Sequence, residues 1–491
     1  MKKIHSITAL LLAAVCIFGA AACNSSDNDE SSSETVSEET SAEESSQSSK
    51  VSKEESSKQK ETSKKESSKE EGSQIVDSSR EILSDFTSLL ASNKETVGWI
   101  DVPNTPIDYV VLKAEDDIID MAYQKDPYYL YKDFYGNYER NGSIFMDYRS
   151  ELGGKNMILH GHSGGYISMF TGLLNYKDLS FYKSAPVLTF NTLYEKNKWK
   201  VISVMRMDVS SSDSDSFRYL RGSFGSDYDF LEYVYQVRMR SIIDCPVTVN
   251  ENDQIITLST CDYLSFGDYR LVVVARKVRE GEKSSVNVAS AKDSANPLYP
   301  DSWYYYMGGS RPEVTSFQDA LNKKKISWYD GKKKWTAKDD ENLKKLLQDY
   351  KNKAEKRIRD SYKETDYTPA QINDINEVID IYLPYVPIAS DIARVNDLCN
   401  QCIAIIKTFT PEKKQAEEAE KERQTKLKTA RAAAIMAIED SLNGKTFTAE
   451  NKKKVNELIS TYKTKINECQ DVDMIPVMRD NAIARIDKLK K

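Results

Sequence analysis

Between residues 97 and 280 the apolar residues come in short, β-branched runs that are too brief for helices. Ile107–Leu112, Lys200–Met205, Ile255–Leu258 and Leu271–Ala275 are examples, and Asn, Gly, Asp and Pro turns separate them. Such a pattern predicts a small strand-rich domain, closed or nearly closed into a barrel. One insertion breaks it. Over Asp229–Ser241 the residues Phe230, Tyr233, Val234 and Val237 share a single helical face. Upstream, Ile82, Leu83, Phe86, Leu89 and Leu90 recur at helical spacing, so Ser78–Ser92 reads as an amphipathic helix.

The flanks have a different texture. Residues 24–74 are almost entirely Ser, Glu, Lys, Asp, Asn, Gln and Thr, with no aromatic residue. A tract with so little to bury cannot offset the entropy of folding. It is expected to be a disordered tether with an r.m.s. span of roughly 40 Å. Ahead of it, Lys2 and Lys3 precede an apolar run from Ile7 to Ala22 and then Cys23, the layout of an export signal. Three fates are open. Ala21-Ala22-Cys23 resembles the end of a bacterial lipobox, which would place a lipid on Cys23, although the family usually has a larger aliphatic residue than Ala20. Ala20-x-Ala22 also fits ordinary signal cleavage. The run could instead remain as an anchor, although it is short for a bilayer core of ~30 Å. Each fate puts the rest of the chain outside the cytoplasm, and the lipid or the anchor would hold it at the bacterial cell surface.

After residue 282 the pattern becomes helical and repeats itself. Tyr367-Thr368-Pro369 and Phe447-Thr448-Ala449 open matching stretches offset by 80 residues. Ile375-Asn376-Glu377-Val378-Ile379 matches Val455-Asn456-Glu457-Leu458-Ile459, and Tyr382 matches Tyr462. A third start follows Trp335-Thr336-Ala337. These read as tandem helical modules over 331–491, each opened by an aromatic residue and a Thr cap, with 283–330 as a linker of uncertain structure. Their role is expected to be spacing or docking rather than a second activity. The formal net charge of -7 gives no reason to expect nucleic-acid binding.

Seven cysteines are too sparse for a disulfide scaffold in a chain of 491 residues. Cys16 and Cys23 belong to the export segment. Cys399-x-x-Cys402 has the spacing of a redox or metal pair, but no second pair or nearby histidine completes a zinc site. In the repeat register Cys402 falls opposite Ala482 and Cys469 opposite Ala389, so both read as small core residues. No metal or cofactor is expected.

Cys261 closes the run Thr257-Leu258-Ser259-Thr260-Cys261, at the end of a predicted strand. Nine residues later Arg270 opens the run Leu271–Ala275, and Gly161-His162 follows Met157-Ile158-Leu159. A thiolate is a strong nucleophile. Histidine can exchange a proton with it and then protonate a leaving amine. A guanidinium can place donors where negative charge develops on a tetrahedral oxygen. After the export segment His160 and His162 are the only histidines, so a Cys–His enzyme has no other base of this type. His160 is the alternative to His162.

The motif Thr-Leu-Ser-Thr-Cys, followed by Arg at the head of a Val-rich strand, resembles the sortase signature. Val97-Gly98-Trp99-Ile100, Ile107-Asp108-Tyr109, Tyr128-Tyr129-Leu130, the stretch from Gly142 to Arg149, and Ser168-Met169-Phe170 continue in the order of the class B sortases. The insertion at Asp229–Ser241 resembles the extra helix that sets class B apart. The resemblance covers roughly residues 78–280. It implies a β-rich sortase-like barrel with an N-terminal helix and a helix before the cysteine strand, within a catalytic domain at 75–282, followed by an all-α repeat region. It also implies an extracytoplasmic transpeptidase with Cys261 as nucleophile, His162 as acid/base and Arg270 as oxyanion stabiliser. Thr260 and Ser259 would lie where substrate backbone passes. The implied partners are exported proteins carrying a sorting motif, an amine from a peptidoglycan precursor or a pilin, and the membrane through a lipid or anchor. Two positions depart from the family pattern. Ser163 stands where Asn is usual after Gly-His, and His160 stands where an aromatic residue is common. Two rival readings exist. One is an inactive barrel with binding modules, which the intact Cys261, His162 and Arg270 disfavour. The other is an L,D-transpeptidase, whose Ser-His-Gly-Cys type motif is absent.

Overall fold

The computed structural model describes residues 77, 79–123, 125–164, 169–210 and 217–490. The expected export segment 1–23 with Cys23, the tract 24–74, and Ser168 lie outside the described residues. The chain divides into two compact units. One is the sequence through Ala354 plus Pro384–Gln401, and the other is Glu355–Leu383 plus Cys402–Lys491.

In the first unit, eight strands form a closed barrel. They are β1 (Thr96–Asp101), β2 (Asp108–Leu112), β3 (Ile144–Met146), β4 (Asn156–His160), β5 (Val187–Thr192), β6 (Lys198–Asp208), β8 (Ile255–Cys261) and β9 (Tyr269–Lys277), with a short β7 (Ile243–Asp244) outside the barrel. The order around the barrel is β1-β2-β3-β4-β8-β9-β6-β5. The β2–β3 and β4–β8 pairs are parallel, and the other pairs are antiparallel. Among the helices are α1 (Thr87–Ser92), α2 (Asp117–Ala122), α3 (Leu179–Ser184), α4 (Asp227–Met239), α5 (Asp301–Met307) and α6 (Phe317–Asn322).

Alternation along the strands builds two cores. Met157, Leu159, Ile256, Leu258, Leu271, Val273 and Ala275 fill the barrel interior. Ile255, Val272 and Val274 face outward, under Phe230, Leu231, Val234 and Val237 of α4. Both faces of β9 are therefore buried, which explains its unbroken apolar run. Each fully buried Val or Leu stabilises the fold by about 1.5–3 kcal/mol.

The predicted insertion helix is present as α4, shifted slightly to Asp227–Met239, with the Ser226 hydroxyl accepting the Asp229 amide. The predicted helix at Ser78–Ser92 is shorter than expected. A 3-10 turn at Ser84–Phe86 leads into α1, because the Leu83 amide donates instead to the Leu193 carbonyl at 2.8 Å. Tertiary pairing overrides helical periodicity there.

The stretch expected as a linker packs on the barrel. Strand β10 (Lys292–Asp293) pairs with β7, and the Leu298 amide donates to the Met239 carbonyl at 2.8 Å. Phe317 and Ala320 of α6 complete the outer core. The linker expectation at 283–330 did not include this packing, in which Phe317 is buried in the outer core.

The remaining helices are α7 (Ala337–Arg359), α8 (Pro369–Tyr382), α9 (Ile392–Lys407), α10 (Glu412–Asp440), α11 (Ala449–Glu468) and α12 (Met474–Asp487). The division between the units falls inside α7 and α9. In the second unit, Leu427, Ile438, Val455, Tyr462, Ile466, Ala482 and Ile486 join α10, α11 and α12 around one core. Thr368 and Thr448 cap α8 and α11, and Thr368 completes a capping box with Gln371. Cys399 and Cys402 are each fully buried, and Cys469 is partly buried.

Candidate active site

Cys261 is the last residue of β8, and Arg270 is the second residue of β9. The antiparallel register makes them direct partners, so their side chains leave the same face of the sheet, with Cβ atoms ~4.5–5.5 Å apart. That face is the outer one, since Leu258 and Leu271 face the interior. The parallel neighbour β4 aligns His160 with Ser259. One step on, the Gly161 amide donates to the Ser259 carbonyl at 3.3 Å. Gly161 faces inward, where a Cβ would meet Ile144 Cδ1 at 2.4 Å and Phe170 at 3.0 Å. Only glycine fits there. The next residue, His162, then turns outward, level with Cys261. The exposures of Cys261, His162 and Arg270 are 5%, 7% and 8%. Each keeps an edge open to solvent at the end of strands that are otherwise sealed.

The three elements are tied together by hydrogen bonds. The Thr260 hydroxyl donates to the Gly161 carbonyl at 2.7 Å, and the Ser163 hydroxyl donates to the Cys261 carbonyl at 2.6 Å. Ser163, at the family's usual Asn position, thus buttresses the candidate nucleophile directly. Ser259, outward like Cys261, pairs its hydroxyl with Tyr219 at 3.0 Å. Thr260 stands on the opposite face of the strand.

His162 Nε2 lies 2.9 Å from the Leu130 carbonyl. A carbonyl only accepts, so Nε2 carries a proton and Nδ1 is the basic nitrogen of the neutral ring. The Tyr131 ring flanks it at 5.3 Å. Leu130 belongs to a 3-10 turn at Tyr128–Tyr131, and the other histidine has a different task. His160 Nε2 lies 2.9 Å from Asp147 Oδ2. Burial opposes ionisation of Asp147, but the Arg149 guanidinium and the His160 ring outweigh it and hold the carboxyl well below the usual range.

Asp117 anchors the turn that holds His162, accepting the Tyr128 amide at 2.8 Å. Burial pushes its carboxyl up to about 7, and the charges of Asp147, Asp120 and Glu95 add to the effect against that hydrogen bond. Unfolded, the group titrates near 3.8. Between those values the native state holds the extra proton, so stability falls as pH rises from about 4 to about 7 and then levels off. Asp117→Asn is expected to flatten this window and to exceed the parent's stability at neutral pH. Denaturant midpoints measured across the window check this. An unchanged slope contradicts it.

Sequence reasoning missed two groups. The Leu130 carbonyl has no residue-type signal because it is backbone. Tyr219 is buried beside the site, with its hydroxyl pKa raised by burial against the opposing pull of Arg270, so it remains a neutral hydrogen-bonding group. Nothing in its local sequence marks it. Among the described residues no cluster of three or more His, Cys, Asp or Glu side chains is placed to hold a metal ion.

A Cys–His–Arg constellation on the open end of a β-barrel suits acyl transfer through a thioester. The sortase domain family matches residues 100–278. The chain is 35% identical over 197 residues to sortase B of Staphylococcus aureus, which spans 40% of this chain and 75% of that protein. It is 32% identical over 184 residues to sortase B of Listeria monocytogenes, spanning 37% and 69%. Among solved structures, sortase B from Bacillus anthracis in complex with AAEK1 aligns with 34% identity, 40% and 86% coverage and a TM-score of 0.35. The Staphylococcus aureus sortase B–substrate complex gives the same figures. By these identities and coverages the chain belongs to the class B sortases, cysteine transpeptidases of the cell envelope.

Proposed function

We propose that Cys261 is the nucleophile, His162 the acid/base and Arg270 the oxyanion stabiliser of this transpeptidase. The observation that carries the assignment is the register. Cys261 and Arg270 are cross-strand partners, and His162 follows the neighbouring strand β4 two residues beyond its His160–Ser259 pairing. His162 Nδ1 takes the Cys261 thiol proton, and the thiolate attacks the carbonyl carbon of a peptide bond in a sorting motif, forming a C–S bond. Arg270 donates to the tetrahedral oxygen. His162 Nδ1–H protonates the departing amine as the C–N bond breaks, leaving a thioester. An incoming amine gives its proton to His162 and attacks the thioester, and the thiolate leaves. The acceptor amine belongs to a peptidoglycan precursor or a pilin. Ser259 and Thr260 shape the cleft where substrate backbone passes, Ser259 through Tyr219 and Thr260 through Gly161.

The N-terminal segment attaches the enzyme to the membrane, through a lipid on Cys23 or an uncleaved anchor. No helix of the described residues is long and apolar enough to cross a membrane. Residues 24–74 serve as a tether. The C-terminal helices are tandem modules that space or dock the enzyme, supported by the matching Thr caps of α8 and α11.

A thiol-reactive probe tests the dyad. Cys261 should be the fastest-labelled cysteine near neutral pH, and His162→Ala should slow labelling by about tenfold or more. Equal rates in parent and variant would remove His162 from the assignment and favour a binding role for the barrel.

A further inference from the structure

The catalytic pair is built at strand ends, so the residues beside it point the other way. Cys261 and Arg270 face outward. Asp262 and Tyr269, next to them in sequence, face the mouth of the barrel, as do Arg206 and Asp208 of β6. All three acidic and aromatic neighbours are buried, with Asp262, Tyr269 and Asp208 each under a tenth exposed. The helix that meets them there is α5, which lies outside the stretch matched by the sortase domain family.

Its contacts form two arms. On the first, the Ser302 hydroxyl donates to Asp208 Oδ2 at 2.5 Å and therefore accepts from the Tyr269 hydroxyl at 2.7 Å. One hydroxyl proton cannot serve both neighbours, so the chain runs in one direction, from Tyr269 to Ser302 to the Asp208 carboxylate. It fixes the residue immediately before Arg270, whose carbonyl also accepts from Arg270 Nη1 at 3.2 Å. On the second arm, Trp303 lies under the Arg206 guanidinium, 5.1 Å from its ring centroid. Arg206 Nε donates to Asp262 Oδ2 at 2.9 Å, and Lys177 holds the other carboxylate oxygen at 2.8 Å. Asp262 is the residue immediately after Cys261. Between the arms, Phe266 of the connecting loop packs against Trp303 and Tyr306, with centroids 6.1 and 5.1 Å away.

We propose that α5 is a positioning element of the active site. Ser302 sets Arg270 through Tyr269, and Trp303 sets Cys261 through Arg206 and Asp262. The inference rests on the assignment of Cys261 and Arg270 above. A helix that only covered the barrel mouth would need apolar contact alone. This one supplies the middle link of a directed hydrogen-bond chain on one flank of the loop and backs an ion pair on the other.

The test uses the full chain, a sorting-motif peptide that the parent turns over, and an amine acceptor. Ser302→Ala is expected to lower kcat about tenfold with KM nearly unchanged, since small misplacements of reacting groups are costly. Ser302→Thr, which keeps the hydroxyl, should restore most of the rate. Tyr269→Phe should lose as much as Ser302→Ala, and the double variant no more than either, because both break one chain. Trp303→Leu, which keeps apolar cover, should also lower kcat. Parent-like kcat in Ser302→Ala, or full additivity with Tyr269→Phe, overturns the proposal. Turnover retained by Cys261→Ala would instead count against the catalytic assignment, so the two failures are distinguishable.

Discussion

Replacing Cys261 with alanine is expected to remove acyl transfer to the limit of detection while the barrel unfolds at nearly the parent's midpoint. The thiol sits at the open end of β8, and its backbone carbonyl, not its sulfur, holds Ser163. The rest of the strand is locked by pairing on both sides, with β4 and β9. Loss of one sulfur at a partly open edge should cost about 1 kcal/mol or less. No neighbouring group can form the thioester in its place. Parallel assays of transfer product and thermal unfolding check both halves of the expectation. Transfer at a measurable fraction of the parent rate would assign the nucleophile elsewhere.

Arg270→Lys should be nearly as damaging, with kcat reduced about 10²–10³-fold and KM little changed. The charge is kept, so a role limited to long-range attraction would survive. What is lost is the fork. One Nη of Arg270 donates to the Tyr269 carbonyl, which orients the guanidinium plane. Lysine is a point charge on a flexible stem and cannot divide planar donors between a backbone anchor and a developing oxyanion. Steady-state kinetics with a peptide donor and an amine acceptor separate the cases. Near-parent kcat in the lysine variant would dismiss Arg270 as the oxyanion donor.

The proposed site residues stand out in the sequence because each sits where a pattern changes. Leu271–Ala275 marks a strand buried on both faces, and Arg270 is its first charged boundary. Thr257–Cys261 ends another strand in the same way. Gly161 was readable as part of a motif, but its physical reason, the contact with Ile144 and Phe170, appears only in three dimensions. The helix at Asp227–Met239 was readable because its apolar face has helical period. The N-terminal helix was overestimated because sequence periodicity cannot show that the Leu83 amide is taken by Leu193.

What escaped sequence reading shares a different character. The Leu130 carbonyl fixes the His162 tautomer, yet any residue offers a carbonyl. Tyr219 reaches Ser259 across 40 residues of chain. The seven residues of α5 are too few to show a period, and they fall within a stretch expected to be a linker of uncertain structure. Their meaning comes from the barrel mouth that they meet.

Mass spectrometry of the protein incubated with a pool of sorting-motif peptides, with and without an amine acceptor, tests the central claim most directly. The account predicts a thioester adduct that maps to Cys261, accumulates without amine, and is discharged by amine to an N-acylated product. An adduct on another residue, or no adduct on a Cys261 thiol that still reacts with a small probe, would contradict it.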